Sequence, residues 1–436
     1  MTTIVRAQVL HTPRDPFAED GALEAFSDGA VAFEDGRILQ TGDWERVSRA
    51  HPDAEVLDER DAILLPGLID THVHYPQMAI IGAMGLELLD WLRERTLPEE
   101  ARLADTAYAA DVARRFVRGL AANGTTSALV FGAHFPAAQD CLFEEAEGAG
   151  LRIASGLVVS DVNLREDLHV TPEQAYRDSL ALAERWHGRG RLRYAVTPRF
   201  SVSCSEGMLE ACGALVRERP DLLFTSHINE NPREIEFVLE QFPWAGDYLH
   251  TYERYGLVGE RSVLAHDVHV SDDELTRLAA ARASVAHCPS SNAFLASGIF
   301  SMRRHHDHGV RFALGTDVGA GTGLSLFKEG LMAYHVQMVR TEGKMIGPAQ
   351  LLYLATRAGA LALGLGDEVG DLSPGRAADY VLVKPPAGGT LAAVLAQSPS
   401  AEATLGALFT LAREECVAEV RVAGEPVFDR SVAIRS

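Results

Sequence analysis

Two histidines one residue apart, His72 and His74, close the apolar run LLPGLIDTHVH (64–74). Residues two apart on a strand point to the same side, so both imidazoles face one place. Three later runs of the same texture carry His227, His266 and Asp317 at or near their ends. Neutral imidazoles with one carboxylate suit a divalent cation, Zn²⁺ first and Fe²⁺ second. A solitary strand histidine is more often a core residue than a ligand. The metal reading therefore rests on several such groups falling at corresponding strand ends. Glu230 stands three residues beyond His227, within reach of a water at such a cation. A carboxylate there can take a proton from that water and hand it on. The competing reading is a cap on the helix candidate NPREIEFVLEQF (231–242), since carboxylates favour helix N-termini.

These groups need a scaffold that brings distant strand ends together. Eight apolar runs occur, at 64–74, 125–131, 152–160, 191–199, 222–228, 262–268, 283–289 and 310–317. Segments of helical period separate them, such as TPEQAYRDSLALAERWHGRG, with a Thr cap at its start and Gly at its close. Eight strand–helix units predict an α/β fold, a (β/α)8 TIM-type barrel over 66–366. A doubly wound sheet would place a glycine-rich phosphate loop after its first strand, where this chain has DTHVHYPQ. A barrel gathers its active site at the C-terminal strand ends. The flanks, 1–65 and 367–436, read as short strands and turns and predict one composite β-sandwich domain built from both termini.

Composition narrows the function. The 436 residues carry 40 Lys+Arg against 61 Asp+Glu, a formal net charge of −21. That balance excludes nucleic acid as a partner and disfavours anionic membranes. A small neutral substrate fits better. No apolar run reaches the roughly 18 residues of a membrane span, and MTTIVRAQVLHTPRDPF does not read as a secretory leader. Five scattered cysteines with no CxxC suggest a reducing compartment, the cytoplasm. The three lysines are Lys328, Lys344 and Lys384, so strand four offers no lysine to bridge two metals. One metal per chain is the expectation. The HxE…PCxxC pattern of nucleic-acid deaminases is absent.

The motifs PGLIDTHVH, SHINE, AHDVHV and LGTD, in that order, resemble the amidohydrolase superfamily, as does the tail GDEVGDLSPGRAADYVLV. Within it, THVHYPQ, LELLDWLRERTLPEE, TPRFSVSCSE, SHINENPREI and AHCPSSNAFLASGIF resemble the guanine deaminase family. The resemblance implies His72, His74, His227 and Asp317 as ligands of one zinc ion, with His266 against the ligand shell or within it. It implies Glu230 as the proton shuttle, with Asp317 and His266 as its catalytic partners. Gln77, Arg199 and Phe200 match positions that hold a purine, and His227, Glu230 and Asp317 face the same ring. Arg199 offers a fork of donors to a ring oxygen, and Gln77 offers both a donor and an acceptor. Phe200 would cover a ring face if a turn follows the strand. A homodimer is also implied. Related ring hydrolases (8-oxoguanine, thiomethyladenosine, triazine) and a catalytically silent assembly barrel remain as alternatives. The roles of His287, Ser291 and Asn292 stay open, and so does the choice between lid and dimer contact for 78–100.

Overall fold

The computed structural model describes residues 1–433. Its strands fall into two sheets. The first begins with β1 (Thr3–His11), β2 (Glu24–Glu34), β3 (Arg37–Asp43) and β4 (Glu55–Pro66). The second holds β5 (Leu68–His74), β6 (Thr125–Phe131), β7 (Arg152–Gly156), β8 (Val158–Val159), β9 (Arg193–Pro198), β10 (Leu223–Ile228), β11 (Ser262–His266), β12 (Ser284–His287) and β13 (Arg311–Leu314). The chain then returns to the first sheet with β14 (Tyr380–Val383), β15 (Val417–Val422) and β16 (Glu425–Asp429).

The barrel strands pair in parallel from β5 to β13 in chain order, with short β8 beside β9. All eight expected strands are present. Between β13 and β5 individual hydrogen bonds replace a ladder. Thr71 Oγ1 donates to Leu314 O (2.9 Å), Asp317 N to His72 O (2.8 Å) and His74 N to Val318 O (2.9 Å). Asp70 accepts from Thr316 N (3.0 Å) and Thr316 Oγ1 (2.5 Å) across the same seam. Residues of the candidate metal site are thus fixed by the closure of the barrel itself. Inside, Ile69, Leu129, Ala195, Leu223, Val263 and Ala286 form a packed plug, so the barrel is a core and not a pore.

The surrounding helices follow from pattern and caps. Over Thr106–Ala122 the apolar residues Ala109, Val112, Ala113, Phe116, Val117 and Leu120 recur at helical spacing and are buried, while Asp105 caps Ala107 N and Tyr108 N. The helix Pro172–Trp186 begins at the Thr171 cap and stops before Gly188. None of the described helices is long and apolar enough to cross a membrane. All five cysteines are buried and unpaired.

The terminal sheet runs β16-β15-β14-β4-β1-β2-β3, with Leu64 opposite Leu382 joining the two ends of the chain. Alternation serves two cores. Leu64, Tyr380 and Leu382 pack within the sheet's own cluster with Val5, Val9 and Val31. Their neighbours Ile63, Leu65, Val381 and Val383 join the large cluster shared with the barrel helices. The run 64–74, read from sequence as one strand, is two. Gly67 stands between them, and only glycine fits there, since a Cβ would sit 2.2 Å from Thr126 Oγ1. The helix Ala401–Leu411, between β14 and β15, was not foreseen. It packs on Leu326–Val339 through Phe409 and Phe327, ring centroids 5.5 Å apart.

Candidate active site

The C-terminal rim holds the expected set. His72 and His74 end β5, where two residues, Thr71 and His72, oppose one on β6, Leu129, between the Asp70–Ala128 and Val73–Val130 pairs. This bulge still leaves both imidazoles on one side, Nε2 atoms 3.1 Å apart. His227 ends β10, its Nε2 3.3 Å from His74 Nε2. Asp317 follows β13, its Oδ1 3.2 Å from His72 Nε2 and 3.1 Å from His74 Nε2. All four ligand atoms lie within 4.8 Å of one another, and all four residues are buried. Donors around a tetrahedral Zn²⁺ at about 2.1 Å would be about 3.4 Å apart, so the spacing fits such an ion. The tautomer fits as well. His227 Nδ1 donates to Arg199 O at 2.6 Å, which leaves the Nε2 lone pair facing the cluster. Burial pushes the His72 imidazole down to about 4 and holds His227 well below its usual value, so both are neutral, as metal ligation requires. Burial opposes ionisation of Asp317, but the His72 and His74 contacts prevail and keep it well below the usual carboxylate range.

His266 is adjacent but outside this set of four. By alternation after Val263 and Ala265, which face the barrel interior, it would point outward. A φ of +77° turns it inward instead. Asp317 (φ +48°) and Asn229 (φ +50°) share this left-handed backbone, an energetic cost of the kind that clusters at functional sites. His266 Nδ1 donates to Asn292 Oδ1 (2.9 Å), and its Nε2 lies 3.4 Å from Glu230 Oε2 and 3.8 Å from Asp317 Oδ2. Asn292 therefore orients His266. His287 is buried against the Phe300 ring (centroids 4.4 Å) and Ser291 is buried, neither with a side-chain hydrogen bond among the described residues.

Glu230 is free of capping duty. Asn231 caps the helix Pro232–Gln241 and Glu234 completes the capping box. Glu230 instead accepts from Ser297 Oγ at 3.0 Å. Burial, with Asp317 nearby, raises its carboxyl to about 8. Such a group can both take and give a proton near neutrality.

The strand β9 stops at Pro198, so Arg199 and Phe200 need not alternate, and both line the site cavity beside Gln77. Phe200 lies 6.2 Å from the His227 ring. The cavity is about 20 Å³, room for about one water. Leu88, Trp91, Leu92 and Leu295 contribute apolar wall. The segment 78–100 thus divides, with Ile81 and Met84 exposed while Leu88, Trp91 and Leu92 are buried as a cover.

Sequence reading missed several polar groups. Glu100 and His134 contact each other (3.1 Å), and Glu100 also binds Gln77 and Arg199. His134 lies three residues past the end of β6, so the strand-end argument applied to the second strand would have found it. Glu100 sits beside Glu99 with no local mark to tell them apart. Asp70 was within a quoted motif but unassigned; burial lifts it to about 7 despite its three hydrogen bonds. Ser297 was likewise within a quoted motif but unassigned.

Comparison with known proteins agrees with this geometry. Residues 63–427 match the model of the amidohydrolase family. Residues 29–54 match an imidazolonepropionase-like composite domain of bacteria, within the terminal sheet. A probable guanine deaminase of Deinococcus radiodurans is 58% identical over 98% of this chain and 99% of its own. The solved E. coli guanine deaminase superposes with a TM-score of 0.95 at 36% identity, covering 98% of this chain and 100% of that one. That of Bradyrhizobium japonicum gives 0.94 at 34%, covering 98% and 99%. The chain is a member of the amidohydrolase family, in its guanine deaminase branch.

Proposed function

We propose that this chain hydrolyses guanine to xanthine and ammonia. The observation that carries the reading is one buried cavity lined at once by Glu230, His227, His266 and Asp317 and by Gln77, Arg199 and Phe200. The first group can activate and deliver water; the second can hold a planar ring with polar edges.

His72, His74, His227 and Asp317 would hold one divalent ion, zinc in our reading and Fe²⁺ as the alternative. Such an ion supplies Lewis acidity, which makes a water acidic near neutral pH. Glu230 takes one proton from the attacking water and carries it to the ring nitrogen beside C2. The water oxygen bonds to C2, and the C2–amine bond breaks. The second water proton reaches the departing amine through Asp317, which gives ammonia and balances the reaction. His266, held by Asn292, orients the attacking oxygen and stabilises developing charge. Ser297 keeps Glu230 aimed at the cavity. Phe200 offers a ring face, and Arg199 offers donors to the carbonyl oxygen of the substrate.

Ammonia release on guanine, 8-oxoguanine, adenine, cytosine and thiomethyladenosine, with metal content measured on the same sample, tests the reading. Guanine should dominate, at one metal per chain. A metal-loaded protein inert to guanine would transfer Gln77, Arg199 and Phe200 to another ring. Glu230→Gln should keep its metal and lose about 10²–10⁴-fold in kcat. A near-normal rate would remove Glu230 from its role.

A further inference from the structure

Gln77 and Arg199 do not face the cavity as independent side chains. Glu100 lies behind them, 5% exposed, and is not among the residues lining the cavity. Its Oε1 accepts from Gln77 Nε2 at 2.8 Å and from Arg199 Nη2 at 3.1 Å. Its Oε2 accepts from Arg199 Nε at 3.4 Å and lies 3.1 Å from His134 Nε2. Gly319 N donates to Gln77 Oε1 at 2.9 Å, so the amide is held at both ends and its orientation is fixed.

This network has a chemical consequence. A guanidinium carries five N–H donors in a rigid fork. With two of them on Glu100, the plane of the fork is set and the remaining donors have fixed directions. Gln77 likewise has one N–H committed to Glu100 and one oxygen lone pair to Gly319, leaving one of each. Arg199 is 3% exposed and Gln77 2%, so neither can turn to solvent for other partners. Burial disfavours a charged Glu100, but Arg199 and His134 outweigh it and hold the carboxyl well below its usual range.

We infer that Glu100 is a positioning residue that sets ring selectivity, by fixing which donors and acceptors Arg199 and Gln77 present to the oxygen-bearing edge of the purine. The inference rests on the guanine reading above. A rigid fork favours a ring with an acceptor oxygen where the fork points. A mobile fork would treat rings with and without that oxygen more nearly alike. His134 supports the arrangement from the far side of the carboxylate.

The test uses the full-length, metal-loaded protein. Wild type and Glu100→Gln are compared on guanine and on 2-aminopurine, which keeps the reacting C2 amine and lacks the 6-oxygen. Where 2-aminopurine is not turned over, its inhibition constant against guanine replaces its KM. Glu100→Gln should keep wild-type metal content and raise KM for guanine about 10–100-fold, the size of a lost charge-assisted hydrogen bond. The preference for guanine over 2-aminopurine should shrink by a similar factor. Glu100→Asp should recover part of it. His134→Asn, which leaves the carboxylate in place, should shift the preference in the same direction by less, and serves as the readout if Glu100→Gln does not fold. Unchanged preference in these variants, with any loss falling equally on both bases, would overturn the inference and leave Glu100 a packing residue. Wild type inert to guanine would instead overturn the functional reading beneath it.

Discussion

The two mouths of the barrel differ in a way that runs against their size. The N-terminal mouth opens onto a cavity of about 390 Å³ whose charged lining is Arg152, Arg191, Arg193, Arg261, Asp221 and Glu368. The C-terminal mouth holds one of about 20 Å³. At the larger cavity two of the arginines are held in ion pairs. Arg152 Nε lies 2.7 Å from Asp379 Oδ2, and Arg193 Nη2 lies 2.6 Å from Glu368 Oε1. At the smaller one, like groups converge. Three imidazole nitrogens and a carboxylate point at one spot, and Glu230 is kept from ionising freely. Chemistry follows the unreconciled groups, and room alone does not mark a site. The N-terminal mouth is where conservation of structure, not reactivity, would be expected of a barrel.

Mutation should separate the two mouths cleanly. The largest effect belongs to Asp317→Asn at the C-terminal rim. It weakens the ligand set and removes the relay to the leaving amine, so bound metal should fall and turnover should drop by at least about 10³-fold. Metal analysis beside ammonia release checks both; normal turnover would place the reacting centre elsewhere. Asp379→Ala at the other mouth should reverse the pattern. It removes the nearer of the two carboxylates on Arg152, whose side chain is 10% exposed, and leaves Glu368 at 3.4 Å, at a cost of about 1–3 kcal/mol in stability. The kcat/KM of the folded fraction should be unchanged, and denaturant titration with activity assays would show whether the mouths are as independent as this.

A smaller effect comes from Glu329, on the helix Leu326–Val339. It accepts from Ser290 N (3.1 Å) and Ser290 Oγ (2.6 Å). Burial raises its carboxyl to about 8, despite those bonds. The folded state then holds a proton that the unfolded chain gives up near pH 4.5. This contribution to stability is full below about pH 4.5 and is lost as pH rises toward 8. Glu329→Gln should therefore gain on wild type in unfolding free energy as pH goes from 5 to 8.5, by on the order of 1–2 kcal/mol, read by denaturant titration at each pH. A constant difference across that range would contradict the assignment.

The reach of sequence reasoning differs between these regions for physical reasons. His72, His74, His227 and Asp317 were legible because strand periodicity and barrel topology together dictate where strand ends meet. The Asp70 bulge and the left-handed turn at His266 are not encoded in any period, yet they aim two of the histidines. Glu100 and Ser297 were hidden because each reaches its partner across the chain, |i−j| of 99 from Glu100 to Arg199 and 67 from Ser297 to Glu230. The helix Ala401–Leu411 was missed because strand patterns on either side drew the reading. The Glu230 cap question was undecidable locally, and the neighbouring Asn231 answered it.

The cover formed by Leu88, Trp91 and Leu92 sets a condition on every catalytic cycle. A planar two-ring base is larger than a space that fits about one water, so the walls of the cavity have to shift when such a base enters. Glu100 lies near the end of the same stretch of chain, Leu88–Ala101. Opening far enough to carry it along would slacken the grip on Arg199 and Gln77 at the moment the product has to leave.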